Sequence, residues 1–150
     1  MYDRILLPTD GSKNSERAIV HALEIAKREH SEIIILNVVD SVYLTGLPEE
    51  EIITKTEALM QEESEKVLKN IVEIINNLES EDKEDYEKIK LTPLTKEGNA
   101  PDVILKITES EDINMIVIAS SGKHLIDRFL LGSVTEKIVR HAKVPIMVIP

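Results

Sequence analysis

Met115-Ile116-Val117-Ile118-Ala119-Ser120-Ser121-Gly122-Lys123-His124-Leu125-Ile126-Asp127-Arg128-Phe129-Leu130-Leu131-Gly132-Ser133 is the stretch on which the fold turns. Its first four residues form an apolar run without alternation, as a strand buried on both faces requires. Val134 to Ala142 reads as a helix, with Val134, Ile138, Val139 and Ala142 on one side. Ser133 suits the N-cap and Glu136 completes a capping box, so the helix is expected to begin there. The loop between them, Ala119 to Ser133, carries Gly122 and Gly132, which permit close backbone approach or positive φ, and the hydroxyls of Ser120, Ser121 and Ser133. With a helix's first free amides facing it, such a loop suits phosphate. Taken alone, the spacing favours a plainer reading, turn glycines before a capped helix. The rest of the chain decides between them.

Outward from this stretch, strand and helix alternate. Ile5-Leu6-Leu7, stopped by Pro8, reads as a central strand of a parallel sheet, followed by the polar turn Thr9-Asp10-Gly11-Ser12. Ala18, Ile19, Ala22, Leu23 and Ala26 then form a helical stripe, with Lys13, Glu16, Arg17, Lys27 and Arg28 outside it. Ile33 to Val39 is a second buried strand, rich in β-branched residues. In the loop Asp40 to Leu47, the apolar Val42, Tyr43 and Leu44 either cover a ligand or partner or pack locally. Pro48 and Glu49 to Glu51 mark the start of a long helix to about Leu78, with Met60, Val67, Ile71, Ile74 and Leu78 in near-heptad rhythm; a core-facing helix is preferred to a coiled coil. Glu79 to Glu87 reads as an exposed connection. Ile89 to Leu94, interrupted by Pro93, suits a strand at or near an edge. Gly98 to Pro101 turns into a short helix capped by Asn99, with Ala100, Val103, Ile104 and Ile107 inward. Val144 to Pro150 is a fifth strand whose apolar edge invites one symmetric mate, so a homodimer through Val144 to Ile149 is expected.

This alternation specifies an open α/β sheet, Rossmann-like, with helices on both faces. The 150 residues suit one domain. The absence of cysteine excludes disulfides, thiol catalysis and cysteine-ligated metals, and fits a reducing cytosol. A formal net charge of -10 argues against a nucleic-acid surface while allowing one anion held by backbone amides. Met1 to Pro8 shows neither a basic leader nor an apolar stretch long enough for a signal peptide or membrane span, so a soluble, cytoplasmic protein without membrane partners is expected. His21, His30, His124 and His141 lack metal-ligand spacing, and no nucleophile, base and orienting residue form a set.

Ligands of such sheets sit beyond the carboxyl ends of the strands, where the strand order reverses. Two loops there carry chemistry, Pro8 to Ser12 and Ala119 to Ser133. Asp10, an acceptor-only group, could receive a sugar hydroxyl or a metal-bound water; organising its own turn is an equally good role for it. Lys123 and Arg128 could neutralise phosphate, though exposed loop charges are commonly just solvated.

Pro8-Thr9-Asp10-Gly11-Ser12, Ser15 and Ala18, the Gly98 to Pro101 turn, Gly122 to Val134 and the ending Ala142 to Ile149 together resemble the universal stress protein family across the whole chain. The ATP-binding branch of that family carries Gly, two residues, Gly, nine residues, Gly and Ser or Thr. Gly122, Gly132 and Ser133 fit this pattern, whereas Ala119 stands in place of the first glycine. The resemblance implies an adenine nucleotide alpha hydrolase-like sheet of order 3-2-1-4-5 and dimers through the last strand. It implies ATP as ligand with magnesium, Asp10 at ribose or metal-phosphate, possible metal contact running through water, and Val38 or Val39 offering backbone bonds to adenine. Gly122, Gly132, Ser133 and Val134 would line the phosphates, with Pro8, Thr9, Ala119, Ser120 and Lys123 completing the set. The implied role is a switch or sensor in a stress response with little or no hydrolysis. The alternative is a nucleotide-free dimeric interaction module acting through an unidentified protein partner.

Overall fold

The structure is a computed structural model and describes residues 1–78, 81–122 and 131–150. In chain order the elements are β1 (Arg4–Pro8), α1 (Lys13–Glu29), β2 (Glu32–Asp40), a 3-10 turn (Ser41–Leu44), α2 (Glu50–Asn76), α3 (Lys83–Tyr86), β3 (Leu91–Gly98), α4 (Ala100–Ser110), β4 (Met115–Ala119), α5 (Ser133–His141) and β5 (Ile146–Ile149). The strands form one sheet in the order β3-β2-β1-β4-β5, all four pairings parallel.

The unbroken apolar runs follow from this arrangement. Successive side chains of a strand point to opposite faces, and both faces here are covered. Ile5, Leu7, Ile33, Ile35, Met115 and Val117 pack with α1 and the second half of α2. Leu6, Ile34, Leu36, Ile116 and Ile118 pack with α4 and α5. Truncating a fully buried member such as Leu6 to alanine costs about 2–5 kcal/mol.

Several elements depart from the sequence reading. β3 starts at Leu91 and runs on to Gly98, four residues past Leu94. Pro93 fits there because Ile33 N donates to Lys90 O, so even-numbered residues of β3 face β2 and Pro93 turns its missing donor outward. The acidic connection is not simply exposed: Tyr86 is buried, donates to the Glu24 carboxylate and lies beneath Lys27 Nζ at 5.7 Å, which also bonds Asp82 at 2.8 Å. The buried residues of α2 are Ser64, Leu68, Ile71 and Ile75; of the expected set Ile71 is among them, and Ile74 and Leu78 pack half-buried against the same core, while Pro48 precedes the cap at Glu49. At the amino end of the sheet, the Thr92 hydroxyl, then Lys90 and Arg4, hold the Glu32 carboxyl below its ordinary range and tie β2 to its neighbours. Among the described residues, no helix is long and apolar enough to cross a membrane.

Candidate functional site

β1 and β4 are neighbours in the sheet, while the chain leaves β1 for α1 on one face and β4 for α5 on the other. The two turns therefore open a crevice where connections diverge, the place such sheets use for ligands.

The first turn is closed by its own side chains. Thr9 N donates to Leu36 O at 2.9 Å, and Asn37 Nδ2 donates to Thr9 O at 2.8 Å. Gly11 N donates to Thr9 Oγ1 at 3.1 Å and Ser12 N to Asp10 Oδ1 at 3.0 Å. Ser12 caps α1, its Oγ accepting from Ser15 N at 3.2 Å. Gly11 sits at φ 78°, open to glycine, and a Cβ there would also meet Val67 Cγ2 at 2.9 Å.

The second turn is different. Ser120 N donates to Ile149 O at 2.7 Å, and Gly132 N donates to Ser120 O at 2.8 Å, which closes the neck of the loop. Gly132, not Ser133, is the N-cap of α5, and no side chain caps this helix. The expected capping box does not form, because Glu136 N reaches Gly132 O at 2.8 Å and Ser133 already lies inside the first turn. The amides of Ser133, Val134 and Thr135 precede the first intrahelical bond. Val139 is exposed, and Thr135 takes the inward place, donating from Oγ1 to Ala119 O at 2.9 Å. Ala119 is an ordinary buried strand end outside the positive-φ region, so alanine costs no backbone strain there.

The turns meet at Gly122. A Cβ on that residue would lie 2.2 Å from Asp10 Oδ2, so any other residue there must displace the Asp10 carboxylate. Between them is a cavity of about 240 Å³. Leu36, Val38, Ala100, Ile104 and Ile118 supply its apolar lining, and Thr9, Asp10, Ser15, Ser121, Ser133 and Thr135 its polar lining. Pro8, Ala119, Gly122, Gly132 and Val134 complete the lining. Among the described lining residues, Asp10 alone carries a formal charge.

Of the residues proposed from sequence, the cavity thus gathers Pro8, Thr9, Asp10, Val38, Ala119, Gly122, Gly132, Ser133 and Val134. Ser120 stands just outside as the hinge of the loop's neck, and Lys123, Arg128, His124 and Asp127 lie outside the described residues. Val38 and Val39 divide: Thr9 N donating to Leu36 O sets the even-numbered residues of β2 toward β1, so the Val38 peptide groups face the space beyond Pro8. Val39 turns toward β3, opposite Glu97. Leu36, Ala100, Ile104, Ile118 and Thr135 of the lining, and Asn37 beneath Thr9, were not proposed as site residues from sequence, and Ser15 entered only through the family resemblance, although Asn37 is a visible signal as the polar residue inside an apolar run. No group of three or more His, Asp or Glu able to hold a metal exists among the described residues, so any ion at Asp10 takes its other ligands from elsewhere.

Comparison with known proteins places this geometry. The universal stress protein family matches the chain over residues 1–150. Universal stress protein MJ0531 of Methanocaldococcus jannaschii is 32% identical over 149 residues, spanning 99% of this chain and 82% of its own. The solved structure of MJ0577 from the same organism superposes with a TM-score of 0.83 at 30% identity, over 99% of this chain and 96% of that one. A family protein of Arabidopsis thaliana, solved with AMP bound, shares the fold at a TM-score of 0.62 and 18% identity, covering 97% of this chain and 90% of the other. The chain belongs to the universal stress protein family.

Proposed function

We propose that the crevice binds ATP with magnesium and that the protein is a single-domain cytoplasmic switch or sensor of a stress response. The observation that carries this reading is the N-terminus of α5: a first turn with no side-chain cap, starting at Gly132, that lines one cavity together with Asp10 and the apolar Leu36, Ile104 and Ile118. The adenine would enter between Leu36, Ile104 and Ile118, with the Val38 amide and carbonyl at its edge. A volume of about 240 Å³ takes base and ribose and leaves the phosphates at the mouth, on the amides of Ser133 and Val134 and beside Gly122. Asp10 would hold ribose or, through water, the magnesium, whose charge separates the carboxylate from the phosphates. The AMP found in the Arabidopsis family member supports a nucleotide of this class.

Hydrolysis should be slow. The described lining residues offer no lysine or arginine to take up charge developing on a transferred phosphoryl group. Self-association through β5 goes with the reading, since its half-buried Ile146, Met147 and Val148 sit on a sheet edge. A second reading, a nucleotide-free interaction module, draws on Val42 and Tyr43, 59% and 66% exposed on the 3-10 turn.

Native mass spectrometry of fresh protein followed by calorimetric titration with magnesium-ATP and magnesium-AMP separates the two. Nucleotide binding that weakens by roughly tenfold or more in Asp10→Ala, and likewise in Gly122→Val through steric overpacking, is the expected result. A protein that stays empty at millimolar ATP supports the interaction module instead.

A further inference from the structure

We propose that Asn14 is a positioning residue for this site: its side-chain amide latches the β4–α5 loop to the first turn of α1 and holds Gly122 against Asp10 before any ligand arrives. The inference rests on the nucleotide reading above and deepens it. Asn14 is the second residue of α1, half-buried, and Nδ2 donates to Gly122 O at 3.2 Å across 108 positions of sequence. The side chain takes no part in the cap of α1, where Ser12 Oγ accepts from Ser15 N and Asp10 Oδ1 from Ser12 N. Neither apolar core includes it. What the bond joins is the pair of turns whose contact makes the cavity.

The mechanism is preorganisation. The α5 wall of the site is a helix terminus and arrives rigid, whereas the Gly122 wall is loop. Its far end is held by Gly132 N on Ser120 O, and its near end by Asn14. A loop that must be ordered during binding weakens binding by the freedom it loses, and a donor on a fixed helix removes that freedom beforehand. Gly122 lies beside Asp10, and the reading above sets the phosphates next to Gly122, so the latch serves phosphate recognition and leaves nucleoside recognition alone.

The test compares adenosine, AMP and magnesium-ATP by calorimetry. In Asn14→Ala, AMP and ATP should bind about three- to tenfold more weakly, as for loss of one hydrogen bond, with adenosine affinity unchanged. Asn14→Asp keeps the size and loses the donor, while its carboxylate favours the positive end of α1. Its thermal midpoint should hold or rise while AMP affinity falls, opposite signs that a merely structural role would not produce. Asn14→Gln, which keeps the amide, should restore part of the AMP affinity. Wild-type AMP and ATP affinity in both Asn14→Ala and Asn14→Asp, or equal losses for adenosine and AMP, would overturn the proposal. If the wild-type protein binds none of the three, the nucleotide reading fails and the latch is decided in the free protein. Faster amide exchange at Ser121 and Gly122 in Asn14→Ala then supports it, and unchanged exchange overturns it.

Discussion

The two strand-to-helix turns at the carboxyl end of the sheet share a plan and differ in one respect, the identity of the cap. At α1, Ser12 Oγ accepts from Ser15 N and Asp10 Oδ1 from Ser12 N, so side chains of the turn take up two amides at the helix start. At α5 the cap is Gly132, which has no side chain to offer, and the first amides look into the cavity. The same kind of helix terminus thus has a side-chain cap on one side of the crevice and none on the other, where the proposed function places the ligand. A side-chain cap stabilises the fold by taking up one first-turn donor and placing its own oxygen over the helix end; an absent cap gives up that stabilisation and keeps the donor and dipole for an anion.

The most forceful way to break the contrast is to give α5 the cap it lacks. Gly132 has φ -61° and ψ 153°, extended backbone open to other residues, so Gly132→Asp would place a carboxylate where an anion is expected. Magnesium-ATP affinity should fall by roughly a hundredfold, with a native circular dichroism spectrum, as a like charge now occupies the site. Unaltered affinity would remove α5 as the anion surface. Next in size is the reverse operation at α1. Ser12→Ala should lower unfolding free energy by about 1 kcal/mol in urea titration with little direct effect on bound phosphate. A loss of ligand affinity as large as the loss of stability would show that the turn is not self-contained. The smallest effect is expected at Ser133, the cap suggested by the capping-box pattern. Since it lies exposed inside the first turn, Ser133→Ala should change stability by less than about 0.5 kcal/mol. A cost near that of Ser12→Ala would mean that Ser133 caps the helix after all.

Much of the architecture was legible because burial on both faces leaves a plain trace. Runs such as Ile33 to Leu36 and Met115 to Ile118 suit only a strand covered on each side. The capping box at Ser133 misled because the same four-residue pattern arises when the serine is one position inside the helix. What moved the cap to Gly132 is the Gly132 N bond to Ser120 O, a contact between the loop's two ends. Tyr86 was hidden among acidic neighbours, and its burial depends on Glu24 and Lys27 of α1, which local composition does not report. The α2 stripe was only partly legible: Ile71, Ile74 and Leu78 do meet the core, while Leu68 and Ile75 beside them are buried more deeply, because an almost heptad-like pattern offers two adjacent faces. At the site, the glycines and Asp10 were conspicuous as turn residues. The apolar wall was not, since Ile104 and Ile118 look like any other core residue until the cavity is formed.

By itself, the order of residues determined a parallel α/β sheet with helices on both faces, since strands apolar throughout are stable only when covered twice. It also marked the two turns by their glycines and serines, because local backbone freedom and hydrogen-bonding groups are written residue by residue. Only the tertiary structure decided that Asn14 reaches Gly122, that Gly122 abuts Asp10, and that Val38 faces the crevice while Val39 faces β3. The first two follow from placing β4 beside β1, with Ile5 opposite Met115, and the third from β2 lying between β1 and β3, juxtapositions set by the packing of the whole sheet and by no local pattern.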